Sequence, residues 1–136
     1  MEDQALGMAA LMNADLGMRR MELGHIWYVP EAHSTGINTE TCFLLLREAF
    51  EHYRCRRVEW KCDSLHGPSR HAALRLGFTF EGIFRKHQIV KGRNRDAAWY
   101  AMTDDDWPWV RQTIEEWLNL PDPRPSPSAA MTQSRV

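Results

Sequence analysis

Residues 33–39, His33-Ser34-Thr35-Gly36-Ile37-Asn38-Thr39, set one glycine inside a cluster of small polar side chains, with no lysine among them. The run before them is rich in β-branched and aromatic residues and stops at Pro30, and the run after them has a helical apolar period. A turn that opens a helix exposes unpaired N–H groups and the positive end of the peptide dipole, so the chemistry within its reach is the holding of an anion such as phosphate. Gly36 lets the backbone approach a ligand with no Cβ in the way. Ser34, Thr35, Asn38 and Thr39 can add hydroxyl or amide hydrogen bonds. The plainer alternative is that Asn38 or Thr39 is a helix cap, a common arrangement that contributes about 1 kcal/mol. Both readings stand on this stretch alone.

The elements on either side must position such a turn. At 136 residues, with 43% hydrophobic and 26% charged residues, the chain reads as one domain with one core. A formal net charge of -1 gives no global electrostatic reason for nucleic-acid or membrane binding. No apolar run approaches bilayer length, and the start lacks the basic-then-apolar order of a secretory signal, so a cytoplasmic protein without membrane contact is expected. Cys42, Cys55 and Cys62 are odd in number and lack CxxC spacing, which argues against a disulfide framework and against a zinc site.

Strands are expected at 5–12 and 21–29, then a helix at 39–53 whose Phe43, Leu46 and Phe50 share one stripe. At 56–64, Val58, Trp60 and Cys62 alternate with Glu59, Lys61 and Asp63, the pattern of a half-buried strand. A short helix at 69–76 ends at Gly77, a favoured C-cap residue. Strands at 78–90 and 95–102 form a hairpin, and a helix at 104–118 carries Trp107, Val110, Ile114 and Trp117 at helical spacing. Residues 119–136 are rich in proline and serine and are expected to be a disordered tail. The order gives an α/β or α+β arrangement with a mixed sheet.

The stretch 58–85, VEWKCDSLHGPSRHAALRLGFTFEGIFR, presents Asp63, His66, Ser69, Leu76-Gly77-Phe78 and Glu81-Gly82 in that order, followed by KGRNRDAAWYAM and DDDWPWV. This pattern resembles the GCN5-related N-acetyltransferase (GNAT) family, and within it the branch similar to the RimJ/RimL ribosomal-protein N-terminal acetyltransferases. The resemblance runs from about residue 5 to residue 118, and RLGFTFEGIFR is its most specific part. It implies a mixed, mostly antiparallel twisted sheet with flanking helices over residues 1–118, lacking the family's usual first strand and two helices, which build one wall of the acceptor site.

The resemblance further implies direct transfer of an acetyl group from acetyl-CoA to a primary amine, on a protein N-terminus or a small molecule, in a ternary complex. His33 to Asn38 fall on the family's pyrophosphate loop, with Gly36 matching and His33 and Asn38 replacing other residues; the backbone from about Thr35 through Ile37 to Thr39 would face the phosphates. Backbone groups of Trp27, Tyr28 and Val29 would contact the pantetheine arm and the thioester carbonyl. Glu22 resembles a base acting through water, or is an exposed strand carboxylate. Alternation puts His25 on the opposite face, where a structural role is expected. Ser69 would donate a proton to the departing thiolate, or cap the helix it opens. His66 replaces an asparagine that holds the pantetheine arm. Arg85, Lys86, His87, Lys91, Arg93 and Arg95 form a basic hairpin, a solvated rim that could also steer an acidic substrate or contact ribosomal protein or RNA. A sheet without its first strand leaves an edge that invites a homodimer. The alternative function is a catalytically silent CoA-binding or protein-interaction domain on the same fold.

Overall fold

Two runs with strand composition, parted by a polar turn, form the hairpin that starts the sheet. The computed structural model describes residues 3–33 and 35–133. In it β1 (Gly7–Asp15) pairs antiparallel with β2 (Arg20–Tyr28). β1 runs past the expected end because its polar residues find partners: Asn13 bonds Glu22 at 2.9 Å and Asp15 sits 3.4 Å from Arg20. Such cross-strand partners override the low strand preference of Asn and Asp.

The helix α1 (Ile37–Arg47) continues as a π-helical turn, Glu48–His52, and buries Cys42, Phe43, Leu46, Ala49 and Phe50, the stripe its period predicts. β3 (Arg57–Asp63) buries Val58, Trp60 and Cys62, as its alternation requires. α2 (Gly67–Arg75) closes at Gly77, where φ is +97°. Phe78 N–H donates to Ala73 O and Gly77 N–H to Leu74 O, the paired bonds that finish a helix through a left-handed glycine. β4 (Thr79–Val90) and β5 (Arg93–Thr103) turn over Lys91 and Gly92, both at positive φ, so the basic hairpin has a two-residue tip. α3 (Trp107–Leu118) buries Trp107, Val110, Ile114 and Trp117.

Among the described residues, five strands lie in the order β1-β2-β3-β5-β4, and every pairing is antiparallel except β2 with β3. This is the mixed, mostly antiparallel sheet with flanking helices that the sequence implies. The core lies between one sheet face and the helices, around Leu46, Val58, Phe78, Tyr100, Val110 and Ile114. Each such side chain contributes about 1.5–3 kcal/mol by leaving water. The opposite face carries Arg57, Glu59 and Lys61. Arg57 bonds Glu81 through both terminal nitrogens and Glu59 through Nε; these partners, set against partial burial, push the guanidinium pKa up.

Residues 119–133 correct an expectation. Read as disordered, they instead fold back on α3 and end in α4 (Pro127–Gln133), with Met131 buried in the core. Trp117 Nε1 donates to Pro125 O at 2.7 Å. Proline and serine make the segment polar and unpatterned, but one indole and one methionine supply the anchors that composition averages away.

Candidate active site

Parallel pairing between β2 and β3 covers only Arg20–Arg57, Met21–Val58 and Glu22–Glu59. Beyond Glu22 the two strands part. The cause is a bulge in β2: Ala10 pairs with Gly24 and Met8 with Trp27, so His25 and Ile26 together oppose one residue of β1, and His25 takes φ +51°. The extra residue shifts the side-chain phase, so that Leu23 and Ile26 both reach the core. It also leaves the β3-facing backbone edge of β2 without a strand partner among the described residues. Such an edge calls for an extended, amide-bearing ligand.

The gap opens into a cleft of about 840 Å³ on the helical side of the sheet. Trp27 and Tyr28 line one wall, Gly36, Asn38 and Thr39 with His33 form one end, and His66 and Ser69 stand opposite. Eight residues singled out in the sequence are thereby brought together. Others are not. Val29 lies off the lining and its N–H donates to Leu6 O at 2.8 Å. Thr35 and Ile37 lie off the lining and bond within the loop: Thr35 Oγ1 donates to Ala32 O at 2.6 Å and accepts weakly from Ile37 N–H at 3.4 Å. Ser34 lies outside the described residues.

The capping reading of Asn38 or Thr39 does not hold. The N-cap is Gly36, at φ +87° and with no side-chain cap bond, because the helix starts two residues before Thr39. Asn38 Oδ1 accepts from Cys42 Sγ at 3.4 Å, and Thr39 is buried. The left-handed glycine starts the helix beside the cleft, with Asn38 and Thr39 of the first turn on its lining and Ile37 N–H held by Thr35 Oγ1.

Ser69 is likewise not a cap. It is the third residue of α2, whose N-cap is His66, and its Oγ accepts from Trp60 Nε1 at 3.1 Å. That bond leaves the hydroxyl proton available to donate. Burial pushes the neighbouring Cys62 thiol up, with the Ser69 hydroxyl opposing the shift. Burial, reinforced by Cys42, also raises the pKa of Tyr28, which stays protonated at neutral pH. Asp63 Oδ1 accepts from Leu65 N–H at 3.0 Å and shapes the turn that presents His66.

Glu22 sits apart from this cleft, at the point where the strands part, on the sheet face away from the helices. It is 7% exposed rather than an open strand carboxylate, accepting from Asn13 Nδ2 at 2.9 Å and pairing with Lys61 Nζ at 3.0 Å. Lys61 in turn lies over the Trp99 ring at 4.1 Å. A second concavity of about 770 Å³ opens beside this group, between Asn13, Glu59, Lys61, Phe84 and Trp99. His25 is exposed and lines neither opening; its part is the bulge.

Sequence reasoning missed the cleft residues Trp60, Arg75, Trp117, Ser126 and Pro127. Trp60 and Trp117 carry an ordinary core signal, and nothing in the proline-rich stretch marks Ser126.

The sequence model of the Acetyltransferase (GNAT) domain matches residues 1–79. Among curated proteins nothing matches. A crystal structure of a GCN5-related N-acetyltransferase from Brucella melitensis is 38% identical, with a TM-score of 0.87 over 93% of this chain and 60% of that one. A probable acetyltransferase of the GNAT family from Chromobacterium violaceum is 41% identical, with a TM-score of 0.75 over 79% of this chain and 54% of that one. The chain thus spans between half and two thirds of the length of these relatives. With the bulged strand, the parted parallel pair and the glycine turn at its mouth, the matches carry one conclusion: this chain belongs to the GCN5-related N-acetyltransferase family.

Proposed function

We propose that the chain transfers an acetyl group from acetyl-CoA to a primary amine, on a protein N-terminus or a small molecule, by direct attack, and that it stands in the RimJ/RimL-like branch of its family. The observation that carries this reading is the single cleft joining the Gly36 turn to the unpaired edge of β2 and to Ser69. The residues fit the donor. A Cβ at Gly36 would fall 3.4 Å from the Trp117 ring and 2.6 Å from Arg124 Nη2, so only glycine lets these two side chains close on the turn at the cleft's end.

Bound acetyl-CoA supplies an activated thioester acyl group. The turn would hold its phosphates through N–H groups and the helix dipole, and backbone of Trp27 and Tyr28 would align the arm and polarise the carbonyl. Ser69, its oxygen fixed by Trp60, would donate to the departing sulfur. Glu22, across the gap, would draw the proton from the amine through a water. The Leu76-Gly77-Phe78 and Glu81-Gly82 pattern supports the branch.

Calorimetric titration of acetyl-CoA into the purified chain tests the reading, alongside Gly36→Glu, which fills the turn and adds a negative charge. Micromolar binding abolished by the substitution is expected, followed by acetylation of an amine. No binding by the unaltered chain would overturn it.

One observation favours the second reading, a CoA-binding domain without turnover. The Glu22 carboxylate is already engaged by Lys61 and Asn13. Binding of acetyl-CoA with no acetylation across a panel of peptides and amines would select that reading.

A further inference from the structure

Residues 119–131 return from the end of α3 across the mouth of the cleft, and they bring one cation with them. The Arg124 guanidinium lies over the Trp117 ring at 4.2 Å, with its Nη2 only 2.6 Å from the position a Cβ of Gly36 would take. Its side chain is 18% exposed. Nη1 donates to Leu118 O at the long distance of 3.4 Å, and Nε lies 3.6 Å from Asp122 Oδ1, a carboxylate that is itself 89% exposed. A carbonyl at the limit of bonding distance and a solvated carboxylate are weak partners. The Trp117 face is its main support, and the one anion beside it, Asp122, is a long and solvated partner.

We propose that Arg124 is a cofactor-binding residue whose guanidinium completes the phosphate cradle of the Gly36 turn, which makes segment 119–131 a wall of the acetyl-CoA site. This rests on the acetyl-CoA reading above and adds to it a residue from outside the region of the family pattern. Residues 33–39 contain no lysine or arginine, and the His33 ring is turned back, with Nε2 3.2 Å from Tyr28 O. The helix N-terminus offers about half a positive charge, which leaves most of the charge of a diphosphate or phosphate monoester uncompensated. A guanidinium adds a full charge that does not titrate, with a planar fork matched to phosphate oxygens. The stack on Trp117 removes most of its rotamer freedom beforehand, so little ordering remains to oppose binding. Ser126 and Pro127, just beyond it, line the same cleft. The alternative occupant of the cradle is Arg124 alone, as a plug that the ligand must displace.

The test is calorimetry with CoA and with dephospho-CoA on the unaltered chain, Arg124→Gln and Arg124→Lys, at low and high salt. Loss of a charge-assisted contact should weaken CoA about ten- to hundredfold in Arg124→Gln, less in Arg124→Lys, with a flatter salt dependence. Equal losses for both ligands would place the contact at the diphosphate, and a loss confined to CoA would place it at the ribose phosphate; either supports the proposal. Unchanged or tighter binding by Arg124→Gln would overturn it and make the segment a bystander or a plug. If Arg124→Gln loses the fold, the Arg124 Nε–H resonance of the unaltered chain decides: it must shift when CoA is added, and a stationary resonance overturns the proposal. No CoA binding by the unaltered chain would instead remove the acetyl-CoA reading itself, and this inference with it.

Discussion

Trp60 donates its indole N–H to Ser69 Oγ at 3.1 Å, tying the central strand to the wall of the cleft. The contact gives Ser69 two separable properties, a structural one through its lone pair and a chemical one through its proton.

Ser69→Ala strands the N–H of a tryptophan that is only 4% exposed, and should cost about 1–3 kcal/mol of stability. In a Trp60→Phe background that cost should largely vanish, because no donor is left unpaired. Urea unfolding of the four chains measures the coupling. If Ser69 also donates a proton, kcat falls in both backgrounds while acetyl-CoA affinity holds. Full activity in the double variant would reduce Ser69 to a packing residue.

Glu22→Gln should leave acetyl-CoA affinity unchanged, because the carboxylate lies on the sheet face away from the cofactor cleft. Turnover should fall by about 10²–10⁴-fold if Glu22 is the base. Lys61→Met removes the partner of a buried carboxylate and should cost about 1–2 kcal/mol, a value reduced by the partial exposure of the lysine. Pairing the two substitutions should recover most of that loss in thermal unfolding, and a strictly additive result would count against the coupling.

Gly77→Ala should destabilise without touching the cofactor site. Its Cβ would meet Val110 Cγ2 at 2.9 Å, at a φ of +97° that side chains rarely adopt. The left-handed conformation alone costs about 1–2 kcal/mol. A lower urea midpoint with unchanged acetyl-CoA affinity is expected, and a neutral midpoint would mean that α2 ends differently in solution.

Cys42 is fully buried, and burial pushes its thiol up from 9.0 to about 12. The folded state therefore binds a proton that the unfolded state gives up above pH 9.0, and the stability this provides is whole below that value and fades as pH rises toward about 12. Unfolding midpoints at pH 7, 8.5 and 10 should decline less steeply in Cys42→Ala than in the unaltered chain. Thiol reagents should reach Cys42 only as fast as the protein unfolds.

Much of this protein is written in local pattern. The alternation around Val58 and Trp60, the stripe of Phe43, Leu46 and Phe50, the left-handed Gly77 and the helical period of Trp107 to Trp117 each set an element, since strand and helix periods depend only on neighbours in the chain. The glycine turn is legible from its polar cluster between strand and helix periods, and Ser69 only through the resemblance to the family pattern. What only the tertiary structure decided depends on contacts across the chain. The bulge at His25 decides where β2 and β3 part, and no composition distinguishes it from plain strand. Lys61 and Asn13 decide that Glu22 is buried and engaged, from positions 39 residues later and 9 earlier. Trp117 and Met131 decide that a proline-rich segment folds back and sets Arg124 against Gly36, because one aromatic face, one hydrogen bond and one buried methionine outweigh a composition with little else to bury.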